Sequence, residues 1–171
     1  MIKILGMIFV VCSTTMMGLA YSNRLNERLC DIRKIQKSVV LLRGEIRYKG
    51  SMLAEAFVSV GTKSDRTISE FYISLGNEIR NNTVKSMSDM VHDCIVYIDK
   101  TNLRETDVAH FAEFIGNLGY LDKEMQMSHI QLFLEQFENN KEDSLEQIKM
   151  NSKLYKYMGV AIGIMVCLLI G

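Results

Sequence analysis

The residues that could do chemistry are few and widely spaced. Asp107, His110 and Glu113 recur at steps of three, which on a helix places them on one face. Such a face could hold a metal ion, but the same spacing suits a solvated polar face, and that reading is favoured. His92 and Cys94 stand two apart and would point to different sides of a helix. The cysteines at 12, 30, 94 and 167 form no C-x-x-C pair, and Cys12 and Cys167 lie in apolar stretches. Neither a zinc site nor a disulfide framework is indicated. Gly116-Asn-Leu-Gly119 has the G-x-x-G spacing of some nucleic-acid-binding loops. It lacks flanking strands and basic neighbours and reads better as a helix terminator. Asn81-Asn82-Thr83 is a glycosylation sequon, irrelevant if the segment is cytoplasmic. There is no phosphate loop, dinucleotide fingerprint or H-E-x-x-H. The sequence implies no enzyme, no cofactor and no metal.

Other polar residues stand where a binding surface could form. Glu45, Tyr48 and Glu55 surround a break at Gly50, and Asp122, Glu124 and Gln126 follow Gly119. For Asp122 and Glu124 the plain alternative is a first helical turn, where acids stabilise the dipole. The elements that must carry these residues are helices. The chain has 171 residues, 48% of them hydrophobic, and neither proline nor tryptophan. Its 20 basic and 20 acidic side chains balance, which disfavours a nucleic-acid binder and a disordered acidic chain alike.

Apolar residues recur with helical rather than strand periodicity throughout. Leu25, Leu29, Ile32, Ile35, Val39, Leu42 and Ile46 form one stripe, broken at Gly50–Ser51. A second helix is expected from Met52 to Val60, ended by Gly61. The capping-box spacing Thr67-Ile-Ser-Glu70 predicts the start of a third, with Phe71, Leu75 and Ile79 inward and an end at Asn81–Asn82. A fourth carries Val84, Met87, Val91, Ile95 and Ile98; a fifth carries Val108, Phe111, Phe114, Ile115 and Leu118, stopped by Gly119. The last begins near Asp122, holds Met125, Ile130, Phe133, Leu134 and Phe137, and is expected to run on through Leu145 and Ile148.

The two ends read as membrane segments. The uncharged stretch Ile4–Tyr21 gives a helix of about 27 Å, close to the thickness of a bilayer core. Its small residues Gly6, Ser13 and Gly18 would allow close helix contact, including self-association. A cleaved leader is the competing reading, with Gly18 and Ala20 as the small residues before the cut. Met158 to Gly171 is uncharged and spans only with help from interfacial Tyr155 and Tyr157 and a snorkelling Lys156. Arg24, Arg28, Arg33, Lys34 and Lys37 follow the first segment; Lys141, Lys149, Lys153 and Lys156 precede the second. Both place the middle of the chain in the cytoplasm. The expected architecture is all-α: an N-terminal transmembrane helix (1–21), a cytoplasmic helical bundle (22–157) and a C-terminal hydrophobic segment (158–171).

Several runs resemble one family. Leu42 to Phe57 contains Glu45-Ile-x-Tyr48 and Leu53-x-Glu-Ala-Phe57, similar to the E-I-x-Y…L-x-E-A-F signature of stage III sporulation protein AB. Leu118-Gly-x-x-Asp122-x-x-x-Gln126 resembles its L-G-x-x-D-x-x-x-Q stretch, and Lys153-Leu-Tyr-x-x-x-Gly-Val160 its K-L-Y-x-x-x-G-V entry to the terminal helix. Met52 departs from the pattern, since many relatives carry proline there. The resemblance implies a mother-cell protein of the outer forespore membrane, part of a trans-envelope assembly. It also implies a helical domain like the cytoplasmic domains of type II secretion F and type IV pilus platform proteins. Its implied partners are a secretion-type ATPase, stage III sporulation protein AA, and other stage III channel proteins. Glu45, Tyr48, Glu55, Asp122 and Gln126 are the candidate partner-binding residues. The rival reading is an extracytoplasmic, tail-anchored binding module with a cleaved leader.

Overall fold

The computed structural model describes residues 2–49, 52–82, 84–98 and 101–136, and further on 150, 153–155, 157, 158, 161, 162 and 165. Of 2–5, 7, 8, 10, 11 and 49 it describes the backbone only. The chain is all-α, with no strand among the described residues. Helix α1 covers Ile2–Gly44 and passes into one π-helical turn, Glu45–Lys49. Helices α2 (Leu53–Lys63), α3 (Arg66–Asn81) and α4 (Met87–Cys94) follow. A 3-10 turn at Ile95–Tyr97 then leads to α5 (Glu105–Leu118) and to α6 over residues 123–136.

The chain divides into two compact units, Met1–Leu29 with Lys141–Gly171, and Cys30–Asn140. In the first, the rings of Tyr21 and Tyr155 lie 4.4 Å apart at 57°. Ser22 is buried there, while Phe9, Met16 and Met17 are exposed. Among the described residues, no helix is long and apolar enough to cross a membrane. The side chains of Ile4, Leu5, Met7, Ile8, Val10 and Val11, which belong to the expected first span, lie outside the described ones. So do Cys167 and most of the expected span 158–171.

The second unit is built around a helical hairpin. α2 and α3 touch through two glycines, one on each. A Cβ on Gly61 would come within 2.6 Å of Ile73 Cγ1 and 3.0 Å of the Ser69 carbonyl oxygen. A Cβ on Gly76 would sit 2.7 Å from the Ala54 carbonyl oxygen and from Val58 Cγ2. The expected helix end at Gly61 is therefore corrected. α2 continues to Lys63, because this glycine serves close packing and not termination. Above the contact, Phe57, Phe71, Tyr72 and Phe111 form an aromatic cluster with centroids 5.3 to 6.2 Å apart. The predicted stripe is buried at Ile35, Val39 and Leu42 on α1 and at Ile46 in the turn that follows.

Three further expectations change. α3 starts from Asp65, not Thr67: the Asp65 carboxylate accepts from the Thr67 amide at 3.2 Å and its hydroxyl at 2.8 Å. Aspartate is the stronger cap, so the threonine becomes its donor. Val84 is fully outside, because α4 begins only after the Ser86 cap, whose hydroxyl accepts from Asp89 N. Met125 is exposed, since α6 buries Ile130 and Leu134 instead. Phe133 stacks on Phe114 at 4.0 Å, and α5 ends at Gly119 as the sequence predicts. Phe137, Leu145 and Ile148 lie outside the described residues.

Overpacking at a helix contact costs about 1–3 kcal/mol. Gly76→Ala should reach the upper part of that range, because backbone oxygen cannot yield; Gly61→Ala should cost less. Gly44→Ala meets nothing within 4 Å and should be neutral or mildly stabilising. Urea unfolding of the three variants, followed by circular dichroism, checks the ranking.

Candidate functional site

Buried polar side chains at Asp31, Ser38 and Glu45 tie α1 and the turn that follows it to the bundle. Ser38 Oγ donates to the Ile35 carbonyl at 2.7 Å, so the Tyr72 hydroxyl, 3.0 Å away, donates to Ser38. This pair is buried, and burial drives the Tyr72 phenol far above its ordinary pKa. Asp31, also buried, accepts from the Asn102 amide at 2.9 Å and from Lys34 Nζ at 3.0 Å. Lys34 reaches Asp65 as well, at 3.4 Å, tying α1 to the start of α3. The bond to the Asp31 carboxylate is the main reason the Lys34 pKa is raised. The Thr67 hydroxyl is the main reason the Asp65 pKa is lowered.

The candidate binding residues fall into different settings. Glu45 is buried at the start of the π-helical turn and ion-paired with Lys63, the last residue of α2. It is therefore not the outward-facing acid that its position beside Gly50 suggests. The same turn sends Arg47 and Tyr48 outward: Tyr48 is 81% exposed, with the Arg47 guanidinium 5.6 Å from its ring centroid. Glu55 is exposed in the first turn of α2. Asp122 caps α6, accepting from the Met125 amide at 2.8 Å. Gln126 donates to the Leu118 carbonyl at 3.0 Å, closing the α5–α6 corner. Those two residues shape the turn that presents Tyr120, which is 71% exposed. In the first unit, Gly6 is exposed with nothing near an added Cβ, and Ser13 Oγ donates to the Phe9 carbonyl at 2.8 Å. Gly18 is half-buried.

Of the residues with catalytic character, Asp107 accepts from the Arg104 amide at 3.0 Å at the start of α5, while His110 and Glu113 are exposed. Cys94 is buried, and desolvation lifts its thiol to about 11, which disfavours nucleophilic use. Thr83 lies outside the described residues. One concave feature was not foreseen from the sequence. An open groove of about 620 Å³ runs between the end of α1 and α6, lined by Arg43, Arg47, Met127, Gln131, Leu132 and Glu135 among others. Arg43 Nη1 donates to Gln131 Oε1 at 2.9 Å, and Gln131 Nε2 donates to Glu135 Oε1 at 2.8 Å. The signal for it is faint: Met127, Gln131 and Leu132 look like ordinary helix-surface residues until α1 is set beside them.

The sequence model for stage III sporulation protein AB matches residues 3–170. The chain belongs to the stage III sporulation protein AB family. It is 24% identical to stage III sporulation protein AB of Bacillus subtilis (strain 168) over 170 residues, covering 99% of each chain. No solved structure matches it. Glu45-Ile-x-Tyr48 forms the π-helical turn, with its glutamate and isoleucine buried and its tyrosine exposed.

Glu45→Lys should destabilise the second unit by about 3 kcal/mol, since it sets a buried cation against Lys63. Glu55→Lys, on an exposed first turn, should change stability by less than about 0.5 kcal/mol. Chemical unfolding of both variants separates the structural acid from the surface one.

Proposed function

We propose that this member of the stage III sporulation protein AB family is a non-enzymatic membrane platform. In this reading it sits in the mother-cell side of the outer forespore membrane with the bundle in the cytoplasm. There it docks a secretion-type ATPase, stage III sporulation protein AA, and links it to channel components of a trans-envelope complex. The observation that carries the proposal is the charge asymmetry around the two apolar ends. Five basic residues follow the first and four precede the second, all on the side of the bundle. Exposed Phe9, Met16 and Met17 support a lipid-facing first segment. The interior chemistry supports a scaffold: Asp31, Ser38, Glu45 and Tyr72 are committed to internal contacts.

The proposal is tested by co-purification. The full chain, extracted in mild detergent, should retain the ATPase through size-exclusion chromatography, and Tyr48→Ala should weaken that retention without changing helical circular dichroism. An ATPase that elutes free of the folded wild-type chain at low and moderate salt would contradict the docking role.

A further inference from the structure

We infer that the groove between the end of α1 and α6 is a docking surface for an acidic, amphipathic helix of a partner protein. Between Cys30 and Lys49 the chain has only two acids, Asp31 and Glu45. Both are buried and neutralised internally, by Lys34 with the Asn102 amide and by Lys63. What this length of α1 presents outward is basic: Arg33, Lys37 and Arg47 are exposed and Arg43 is half-buried at the groove. An acidic partner would meet this positive edge without a like charge on the α1 wall.

The other wall supplies apolar contact. Leu132 is 52% exposed and Met127 half-buried, both lining the groove. Glu135 is the acid among the lining residues, and its carboxylate is held by the Gln131 amide. A helix with an apolar stripe flanked by acids on one side can lay the stripe on Met127 and Leu132 and turn the acids towards Arg43 and Arg47. Arginine, tyrosine and methionine are also the residue types enriched in protein interfaces, and Tyr48, 81% exposed, stands beside Arg47. The π-helical turn matters here, because a wider turn at the end of α1 changes which side the following residues face. The inference rests on the platform reading only for the identity of the protein that supplies the helix.

The test uses the full chain in detergent and a fluorescent synthetic helical peptide with leucines at i, i+4 and i+7 flanked by glutamates. A matched peptide with lysines in place of the glutamates is the control. The acidic peptide should bind saturably, one per chain, and more weakly as salt rises. Arg47→Glu and Leu132→Asp should each weaken it by about tenfold, a loss typical of central interface residues. The doubly reversed Arg43→Glu, Arg47→Glu chain should instead bind the lysine peptide. Thermal unfolding confirms that each variant is folded. Failure of the acidic peptide to bind, or equal binding to all folded variants, overturns the inference. So would a chain dimer that Arg47→Glu dissociates in sedimentation, or recruitment to phosphatidylglycerol vesicles that excludes the peptide. If the peptide binds as expected while the ATPase does not co-purify, the groove stands and the platform reading fails. The converse result separates them the other way.

Discussion

The interior of the second unit depends on how closely two helices can approach. Gly61 and Gly76 remove the side chains that would hold α2 and α3 apart, so backbone meets side chain and backbone across the hairpin. That approach fixes the position of α3, and Tyr72 with it. Tyr72 is an aromatic residue of the core with a polar tip directed at α1, where Ser38 receives its hydroxyl hydrogen. Displacing α3 by even a methyl group would thus act in two places. It would loosen the Phe57, Phe71 and Phe111 packing, and it would stretch a buried hydrogen bond whose partners have no water to turn to.

A second consequence concerns charge. Holding this part of the chain against the bundle uses up the two acids between Cys30 and Lys49: Asp31 caps the segment around Asn102, and Glu45 meets Lys63. The basic residues of the same stretch are left on the outside. From Cys30 to Lys49 the outward side is therefore positive as a by-product of internal stapling, although the whole chain is neutral. A balanced composition conceals a polarised face. This is why net charge says little here about the kind of partner the protein would accept.

The helical plan was legible because long apolar periodicity with no proline leaves few alternatives. The buried Ile35, Val39, Leu42 and Ile46 follow directly from their spacing, and Gly119 ends α5 as expected. The misread positions share a cause. Gly61 looked like a stop signal, yet a glycine inside a helix is equally a contact point, and only the facing helix decides between them. Thr67 looked like a cap because the stronger cap, Asp65, stands two residues earlier. Glu45 looked available to a partner because Lys63, which pairs with it, is distant in sequence. The groove was least legible of all, since it belongs to two helices separated by most of the bundle. The family, by contrast, was readable from short runs at 42–57, 118–126 and 153–160, and it holds over nearly the whole chain.

The orientation of the bundle carries the functional account, and thiol labelling in intact cells measures it most directly. With the native cysteines replaced, one cysteine is placed at exposed His110 and another appended after Gly171, and each is probed with a membrane-impermeant reagent. The expected result is labelling of the appended site alone, with His110→Cys reacting only after the cells are opened. Labelling of His110→Cys in intact cells would put the bundle outside the cytoplasm, where it could not meet an ATPase, and would favour a tail-anchored extracytoplasmic module.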